Sequence, residues 1–176
     1  MSGIGFRRLT LDDIALMHRW LNTDFVIEWW DQRGHSYDEV EAKYQAYITG
    51  TKPSQPYLML YDDKPIGYIQ TYRIMDWPEY AEVVQVGEGG AGIDLFIGEA
   101  GYIHRGLGPQ ILRAFLREIV LKDPSWATFC IVGPEPKNQG AIRAYERAGF
   151  RYLKTVQVPD EAEPEYLMIV TSADLA

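Results

Sequence analysis

The sequence predicts a mixed α/β fold, in a single domain over residues 1–176. Short apolar runs typical of strands alternate with segments of helical periodicity along the chain. From Leu107 onwards, apolar residues recur at the spacing of one helical face. Apolar runs at 91–97 and 127–132 flank that helix, and one helix between two strands implies a right-handed crossover with parallel pairing.

The N-terminal part of the chain is expected to place one strand and two helices before the main sheet. The stretch IGFRRL at 4–9 is typical of a strand. Thr10 and Asp13 have the spacing of a capping box, which predicts a helix over IALMHRWLN. Ser36 and Glu39 have the same spacing and predict a second helix over YDEVEAKYQAYI.

The middle of the chain predicts a hairpin followed by a loop and a strand. Two apolar runs in PYLMLYDDKPIGYIQTYRI surround the turn residues 62–64. Residues 75–90 mix aromatics, acids and glycines, which predicts a loop with a frayed strand. AGIDLFI at 91–97 is expected to be an apolar strand interrupted by one acid, Asp94.

The C-terminal part predicts three strands and one further helix. ATFCIV is typical of a buried strand, and Asn138 and Gly149 are expected to begin and end the helix NQGAIRAYERAG. FRYLKTVQV and EYLMIV are the last two strands. The predicted order is strand, helix, helix, three strands, helix, strand, helix and two strands.

Charge restricts the class of partner. The net charge is −8, from 25 acids and 17 bases, which argues against nucleic acid because phosphate contacts need basic residues. The same charge is compatible with a cationic ligand, and also with solubility alone.

Hydropathy and cysteine content indicate the compartment. No run of about 18 uncharged apolar residues occurs, so no membrane span is expected. The stretch MSGIGFRRLTLDD lacks the apolar core of a signal peptide, and export is not expected. Cys130 is the single cysteine, which excludes an intrachain disulfide and fits a reducing cytoplasm.

The segment YIHRGLGPQIL at 102–112 suggests an anion site. Its glycines fall between a strand and a helix N-terminus, where unpaired N–H groups favour phosphate. Pro109 and Gln110 stand where a Walker loop needs Lys then Ser or Thr, and Ile111 stands where a dinucleotide fingerprint needs glycine. A glycine-rich turn that only starts a helix is the remaining alternative.

Two stretches of the chain, separated by a strand, together resemble the GNAT superfamily of N-acetyltransferases. They are RGLGPQIL…FL and N…AIRAYERAGF. The resemblance implies acetyl-CoA as cofactor, no metal, and the GNAT fold. That fold is a mixed central sheet flanked by about four helices, with splayed parallel strands at the cofactor cleft. Ile103 departs from the Gln or Arg that the family often has there. The cofactor-binding residues that the resemblance implies are Leu95, Phe96, Ile97, Arg105, Gly106, Leu107, Gly108, Pro109, Gln110 and Asn138.

Within that superfamily, the chain is similar to the aminoglycoside 6′-N-acetyltransferases from about Leu9 to about Pro159. The stretches that carry this similarity are RWLN…VIEWW, PYLMLYDDKPIGYIQTY, GIDLFI and AIRAYERAGF. The implied function is transfer of an acetyl group to the 6′-amine of a polycationic aminoglycoside, by a cytoplasmic monomer or homodimer. Two alternatives stay open: a siderophore-pathway acetyltransferase acting on a hydroxylysine-type amine, and a non-catalytic module that binds coenzyme A.

Transfer of an acetyl group to an amine needs a proton acceptor and a proton donor. A carboxylate near the amine can accept its proton, and Asp94, in the GID stretch, is expected to do so. The departing thiolate needs a donor, which the resemblance implies is Tyr145. A solvent-facing strand acid and a tyrosine that only packs a helix are the structural alternatives.

Recognition of an aminoglycoside needs carboxylates for its ammonium groups and aromatic faces for its sugars. Trp29 is expected to be a hydrophobic anchor. Gly133 stands where related enzymes have a substrate-binding Asp, and Glu135 is the nearby acid. The expected substrate-binding residues are Glu28, Trp30, Tyr44, Gln70, Tyr72, Trp77, Glu79, Glu82 and Asp94.

Overall fold

The computed structural model describes residues 3–176, and its strands follow the predicted order. The seven strands within those residues are β1 Ile4–Arg8, β2 Ser54–Tyr61, β3 Lys64–Arg73, β4 Gly90–Ile97, β5 Phe129–Val132, β6 Arg151–Val156 and β7 Glu165–Thr171. The six α-helices over the same span are α1 Ile14–Leu21, α2 Asp24–Ile27, α3 Tyr37–Ile48, α4 Pro78–Val84, α5 Leu107–Phe115 and α6 Gln139–Ala148. The mixed α/β class is therefore confirmed.

The strands form one mixed sheet in the order β1-β2-β3-β4-β5-β7-β6. β4 and β5 are parallel, with Gly90 beside Phe129 and Gly92 beside Ile131, which confirms the predicted parallel pairing on either side of α5 in sequence. β4 continues to Ile97 beyond this pairing. β7 pairs antiparallel with both β5 and β6, and β1 pairs antiparallel with β2.

The residues form two compact units. The first comprises the chain up to Gln70 together with Asp94–Arg105. Its core combines aliphatic side chains with aromatic rings, and the rings of Trp20 and Phe96 meet edge to face at 6.2 Å. Burying a large aromatic side chain in such a core contributes about 2–3 kcal/mol.

The second unit comprises Thr71–Ile93 and Gly106–Ala176. Its core contains a cluster in which Ile74, Val84 and Leu167 are each buried. Half-buried aromatics pack against that cluster, so the second unit carries aromatic side chains at the margin of its core.

The prediction of a loop with a frayed strand at 75–90 is wrong, because α4 lies there. Pro78 occupies the first helical turn, where its missing N–H is not needed, and Glu79 carries a negative charge near the helix N-terminus. Val84 is buried, and Gln85 ends the helix in the left-handed conformation, with φ 47°. The short helix α2 was also not expected, so the structure has more helices than the predicted four.

Both predicted capping positions begin helical segments. Asp13 Oδ2 accepts from the Thr10 N–H at 2.8 Å, and this box opens a 3₁₀ turn that leads into α1. The Ser36 hydroxyl accepts from the Glu39 N–H at 3.2 Å, whereas the Glu39 carboxylate bonds Arg33 at 2.9 Å. Within residues 3–176, every helix is too short or too polar to cross a bilayer.

Candidate active site

The N-terminus of α5 is an open turn. Gly106 is its N-cap, with φ +72° in the left-handed region, and no side chain caps the helix there. A Cβ added at Gly106 would meet no heavy atom within 4 Å. The first N–H groups of α5 lack intrahelical partners, so they can bind an anion in that space. The geometry fits a phosphate group.

Arg105 lies in the first unit, at the end of the loop before α5. Its guanidinium donates to the Gly101 carbonyl at 3.2 Å and lies 5.4 Å from the centre of the Tyr102 ring. The side chain is exposed, so it keeps a positive charge in solvent beside this loop.

The end of β4 is fixed by backbone bonds. Leu95 and Ile97 are half-buried, and Phe96 between them is buried. The N–H groups of Gly98 and Glu99 both donate to the Ile66 carbonyl, at 2.8 and 3.2 Å. The strand therefore ends at a defined position in the first unit.

Asp94 is connected to β3 by two hydrogen bonds in series. The Tyr68 hydroxyl donates to Gln70 Oε1 at 2.7 Å. The Gln70 amide nitrogen then donates to Asp94 Oδ2 at 2.9 Å. Because Tyr68 takes the amide oxygen, the amide nitrogen is directed at the carboxylate. This chain of bonds orients Asp94 in the first unit.

The surroundings of Asp94 favour a proton acceptor. Burial raises the pKa of its carboxyl above the usual value, whereas the Gln70 hydrogen bond and the charge of Lys43 act in the opposite direction. Burial raises the pKa because the charged form is poorly solvated there. A carboxylate in this state binds a proton more readily than an exposed one. Asp94 therefore has the properties of a general base.

Two aromatic residues that the sequence predicts to bind the substrate lie beside the hydrogen bonds that join Tyr68, Gln70 and Asp94. The Trp30 ring meets Tyr68 edge to face at 6.2 Å, and Tyr44 meets Tyr68 at 5.2 Å. The indole N–H of Trp30 and the hydroxyl of Tyr44 are buried and have no hydrogen-bond partner within residues 3–176. Burial raises the pKa of Tyr44, which therefore stays protonated. Such buried donors need a partner from water or a ligand.

A second aromatic group lies in the second unit. The Tyr72 ring covers Gly92, and its centre lies 6.4 Å from the rings of both Trp77 and Tyr80. The indole N–H of Trp77 is buried without a hydrogen-bond partner in the part of the chain described. The Tyr80 hydroxyl donates to Glu165 Oε2 at 2.8 Å. This group combines aromatic faces with one carboxylate.

Asn138 and Tyr145 both belong to α6. Asn138 is the predicted N-cap, and its amide oxygen accepts from the Ala141 N–H at 3.2 Å. Its role as a helix cap leaves the amide nitrogen to donate to a ligand. Tyr145 is half-buried, and its ring meets Phe150 edge to face at 5.5 Å.

The three glutamates that the sequence predicts to bind the substrate are exposed. Glu28 follows α2, and Glu79 and Glu82 lie on α4.

The expectation that Trp29 is a hydrophobic anchor is wrong, because it is 45% exposed and Trp30 is the residue that packs. Adjacent residues at the end of a short helix point in different directions, so only one of the pair can face the core.

Three residues that bond to or pack near the predicted ones within each unit were missed by sequence reasoning. Tyr68 alternates with Gln70 and Tyr72 along β3, and a period of two predicts that they share a face. That signal could have found Tyr68. Tyr80 and Glu165 meet over a long sequence separation, and no local pattern marks them.

Three comparisons with known proteins identify the family of this chain. Residues 10–158 match the profile of a family described as the acetyltransferase (GNAT) domain. Aminoglycoside N(6′)-acetyltransferase type 1 of Klebsiella pneumoniae is 31% identical over 161 residues, which cover 90% of this chain and 79% of that protein. The N(6)-hydroxylysine O-acetyltransferase of Escherichia coli is 24% identical, over 85% of this chain and 46% of that protein.

The fold is also similar to solved structures. The crystal structure of aminoglycoside acetyltransferase AAC(6′)-Ib in complex with coenzyme A and kanamycin superposes with a TM-score of 0.84. The two sequences are 31% identical, and the match covers 98% of this chain and 96% of the other.

Proposed function

Since this chain belongs to the GNAT acetyltransferase family, we propose that it transfers the acetyl group of acetyl-CoA to the 6′-amine of aminoglycoside antibiotics. The likeness to the Klebsiella pneumoniae enzyme, at 31% identity over 90% of this chain, supports the acceptor. The observation in this chain that carries the proposal is the Asp94 carboxylate, which is oriented by Gln70 and raised in pKa by burial.

The proposed cofactor contacts use backbone groups. The N–H groups of Leu107, Gly108 and Gln110 bind the pyrophosphate of coenzyme A, and the left-handed Gly106 leaves the space for it. Pro109 has no N–H and fixes the first turn. Arg105 adds positive charge.

Backbone groups of Leu95–Ile97 and the Asn138 amide contact the pantetheine arm in this proposal. Acetyl-CoA supplies a thioester, which is the acyl donor for the amine.

The proposed transfer is a direct attack. Asp94 accepts the proton that the amine nitrogen loses as it bonds to the acetyl carbon, directly or through water. The Tyr145 hydroxyl gives a proton to the sulfur as the bond between carbon and sulfur breaks. Most of the rate enhancement comes from alignment of the two bound substrates.

Acceptor recognition combines aromatic faces and negative charge. Trp30 and Tyr44 in the first unit, and Tyr72 and Trp77 in the second, supply ring faces and buried polar atoms for sugar hydroxyl groups. The exposed carboxylates attract a polycation over longer distances, together with the net charge of −8. These carboxylates are Glu28, Glu79 and Glu82.

Incubation of the protein with acetyl-CoA and kanamycin tests the proposal. Mass spectrometry should find one added acetyl group, and NMR should locate it on the 6′ nitrogen. Acetylation of another amine, or coenzyme A binding without thiol release, would contradict the proposal. The second outcome would support a non-catalytic module.

A second candidate acceptor is N6-hydroxylysine, since the Escherichia coli relative is named for that substrate. This chain spans 46% of that relative, so the likeness is weaker support. A panel that holds both acceptors at matched concentrations separates the two functions, and the higher kcat/KM identifies the substrate.

The proposed compartment is the cytoplasm, and the proposed assembly is a monomer or homodimer. Cys130 is the single cysteine of the chain and is buried, which suits a reducing environment. Light scattering on the purified protein would measure its mass, and a mass above that of two chains would contradict the proposed assembly.

A further inference from the structure

We propose that Glu99 is a positioning residue for the acyl donor, because its carboxylate holds the end of β4 against α1. The backbone of Leu95–Ile97 is thereby kept in place for the pantetheine arm of coenzyme A. The inference rests on the proposed function, which assigns those backbone groups to the cofactor. Three observations within the first unit carry it: the main-chain bonds that end β4, the hydrogen bonds that the Glu99 carboxylate accepts, and a close contact between Trp20 and Gly98.

β4 continues past the residues that pair with β5. The parallel pairing covers Gly90–Gly92, and the strand runs on to Ile97. Where a strand runs beyond its neighbour, its edge presents N–H and C=O groups to an extended ligand. The pantetheine arm is an extended chain with two amide groups, so it can pair with such an edge. This pairing requires that the end of the strand keeps a fixed position.

Main-chain bonds fix the end of β4 to its neighbours in the fold. The N–H groups of Gly98 and Glu99 both donate to the Ile66 carbonyl of β3, at 2.8 and 3.2 Å. The Glu99 carbonyl in turn accepts from the Tyr102 N–H at 3.0 Å. The backbone of Glu99 therefore joins the end of β4 to β3 and to the turn that follows.

The Glu99 side chain joins the same strand end to α1. Its Oε1 accepts from the Trp20 indole N–H at 2.9 Å and from the Arg19 guanidinium at 2.5 Å. Trp20 is fully buried, so its indole N–H needs a partner within the protein. Burial alone would raise the pKa of Glu99, but the hydrogen bonds from Arg19 and Trp20 outweigh it, and the pKa of this carboxyl lies below its usual value. The carboxylate is therefore charged at neutral pH and accepts two charge-assisted hydrogen bonds.

Trp20 also contacts the main chain at the end of β4. A Cβ built on Gly98 would collide with the Trp20 indole ring. The φ of Gly98 is not in the left-handed region, so the close approach of the ring explains the glycine there. The same ring meets Phe96 edge to face at 6.2 Å. By accepting from the indole N–H, Glu99 holds this ring against Phe96 and Gly98.

The other parallel strand ends at a comparable contact in the second unit. β5 ends at Val132, and a Cβ built on the next residue, Gly133, would collide with Oε2 of Glu165. The Tyr80 hydroxyl donates to the same oxygen at 2.8 Å. Both parallel strands therefore end beside a hydrogen-bonded glutamate, but the proposed pantetheine contacts lie on β4. Glu99 is for this reason the glutamate assigned to the acyl donor.

Calorimetric titration with two ligands tests the inference. Coenzyme A contains the pantetheine arm, whereas 3′-phospho-ADP carries the same nucleotide and pyrophosphate without it. In Glu99→Ala the Kd for coenzyme A should rise by about tenfold, since two charge-assisted bonds that order the strand end are lost. The Kd for 3′-phospho-ADP should stay at the wild-type value. Equal weakening of both ligands, or an unchanged Kd for coenzyme A, would overturn the inference.

Asp13→Ala is the matched control, because it removes another carboxylate of the first unit that binds an arginine. Asp13 accepts from Arg7 at 2.8 Å, at the start of α1. Its side chain is 9% exposed, against 22% for that of Glu99. This variant should lose stability while the Kd for each ligand stays unchanged. A Kd for coenzyme A that rises equally in Asp13→Ala and Glu99→Ala would contradict the assignment.

The conservative variant Glu99→Gln keeps an oxygen that accepts from Trp20, and it retains the test if Glu99→Ala does not fold. Its KM for acetyl-CoA should rise by about threefold, in keeping with loss of a partly exposed ion pair, while its KM for kanamycin stays unchanged. Arg19→Gln should give a rise of similar size. The double variant should not exceed either single one, because both changes remove the same ion pair. A wild-type KM for acetyl-CoA in all three variants, or an equal rise in the KM for kanamycin, would contradict the inference.

The same measurements separate this inference from the proposed function. If the wild type binds coenzyme A but does not acetylate kanamycin, the proposed function fails, and a loss in Glu99→Ala that is specific to coenzyme A still supports the role of Glu99. If the wild type acetylates kanamycin and Glu99→Ala binds coenzyme A as tightly as the wild type, the inference alone fails.

Discussion

The amide nitrogen of Gln70 donates to Oδ2 of Asp94 at 2.9 Å, and the hydroxyl of Tyr68 fixes which way that amide faces. The half-buried carboxylate is therefore oriented by a directional hydrogen bond. Burial raises the pKa of Asp94, whereas the Gln70 hydrogen bond that orients the carboxylate lowers it. Gln70 therefore acts on both the position and the basicity of this carboxylate.

Asp94→Asn should lower kcat by about 100-fold or more, because general-base catalysis contributes roughly 10²–10⁴-fold. Asn keeps an oxygen that accepts from Gln70, so the fold and the binding of acetyl-CoA should persist. The exposed Asp63, in a turn with φ +64° that Asn also tolerates, provides the control Asp63→Asn. Rates of thiol release measure both, and a wild-type rate in Asp94→Asn would exclude Asp94 as the base.

The same Asp94→Asn variant should be more stable than the wild type at pH 7. A carboxyl whose folded pKa is raised destabilises the fold when ionised. That penalty is absent below the pKa of the unfolded chain and complete above the pKa of the folded state. Calorimetry at several pH values should therefore show a higher Tm for the variant at neutral pH and convergence in acid. Each kcal/mol corresponds to about 2–4 °C in a chain of this size.

Gln70→Ala should move the acid limb of the kcat/KM profile to higher pH. The hydrogen bond from Gln70 lowers the pKa of Asp94, so its loss raises that pKa and protonates the base at a higher pH. Tyr68→Phe should cause a smaller shift in the same direction, because the amide is still present but not fixed. Gln45→Ala, on the exposed face of α3, is the control. A shift to lower pH in Gln70→Ala would contradict the assigned role.

Gly106→Ala should raise the KM for acetyl-CoA by roughly tenfold through loss of a phosphate contact. Gly106 is the N-cap of α5, so an added Cβ lies beside the proposed phosphate site and also meets the strain of φ +72°. Gly50→Ala is a matched control, because Gly50 has φ +79° and open space around it but lies after α3. Both variants should lose about 1–2 kcal/mol of stability. Equal KM values in the two would show that the effect is only strain.

Tyr145→Phe should reduce kcat and leave the KM for kanamycin unchanged, because the hydroxyl is proposed to act only on the departing sulfur. The ring contact with Phe150 at 5.5 Å is kept, so the ring should stay packed in the variant. Tyr37→Phe, at a 42% exposed position, controls for loss of a hydroxyl group. Full activity of Tyr145→Phe across the pH range would rule out this donor.

Local patterns in the sequence were sufficient to predict the strands and most of the helix boundaries. The caps at Thr10, Ser36 and Asn138 depend on residues within three positions of each other, and all three begin helical segments. The α4 segment was missed because its helical face is short. Its stability depends on Val84 packing against Ile131 and Leu167, which are distant in sequence.

The candidate site residues that lie on a single strand could be found from the sequence pattern alone. Gln70 and Tyr72 share a face of β3 by simple alternation, and Asp94 was visible as the one acid in an apolar strand. The contact between Gly133 and Glu165 was not visible, because it depends on the register between β5 and β7. The sequence showed that a side chain was missing at 133 but not what fills its place.

The tight contact between Gly133 and Glu165 also restricts the mutational routes open to this enzyme. A side chain at 133 meets the Glu165 carboxylate, so a larger residue there requires either that this carboxylate moves or that position 165 becomes smaller. An intermediate with small residues at both positions lacks the carboxylate altogether. Libraries that vary positions 133 and 165 together should therefore recover larger residues at 133 than libraries that vary position 133 alone.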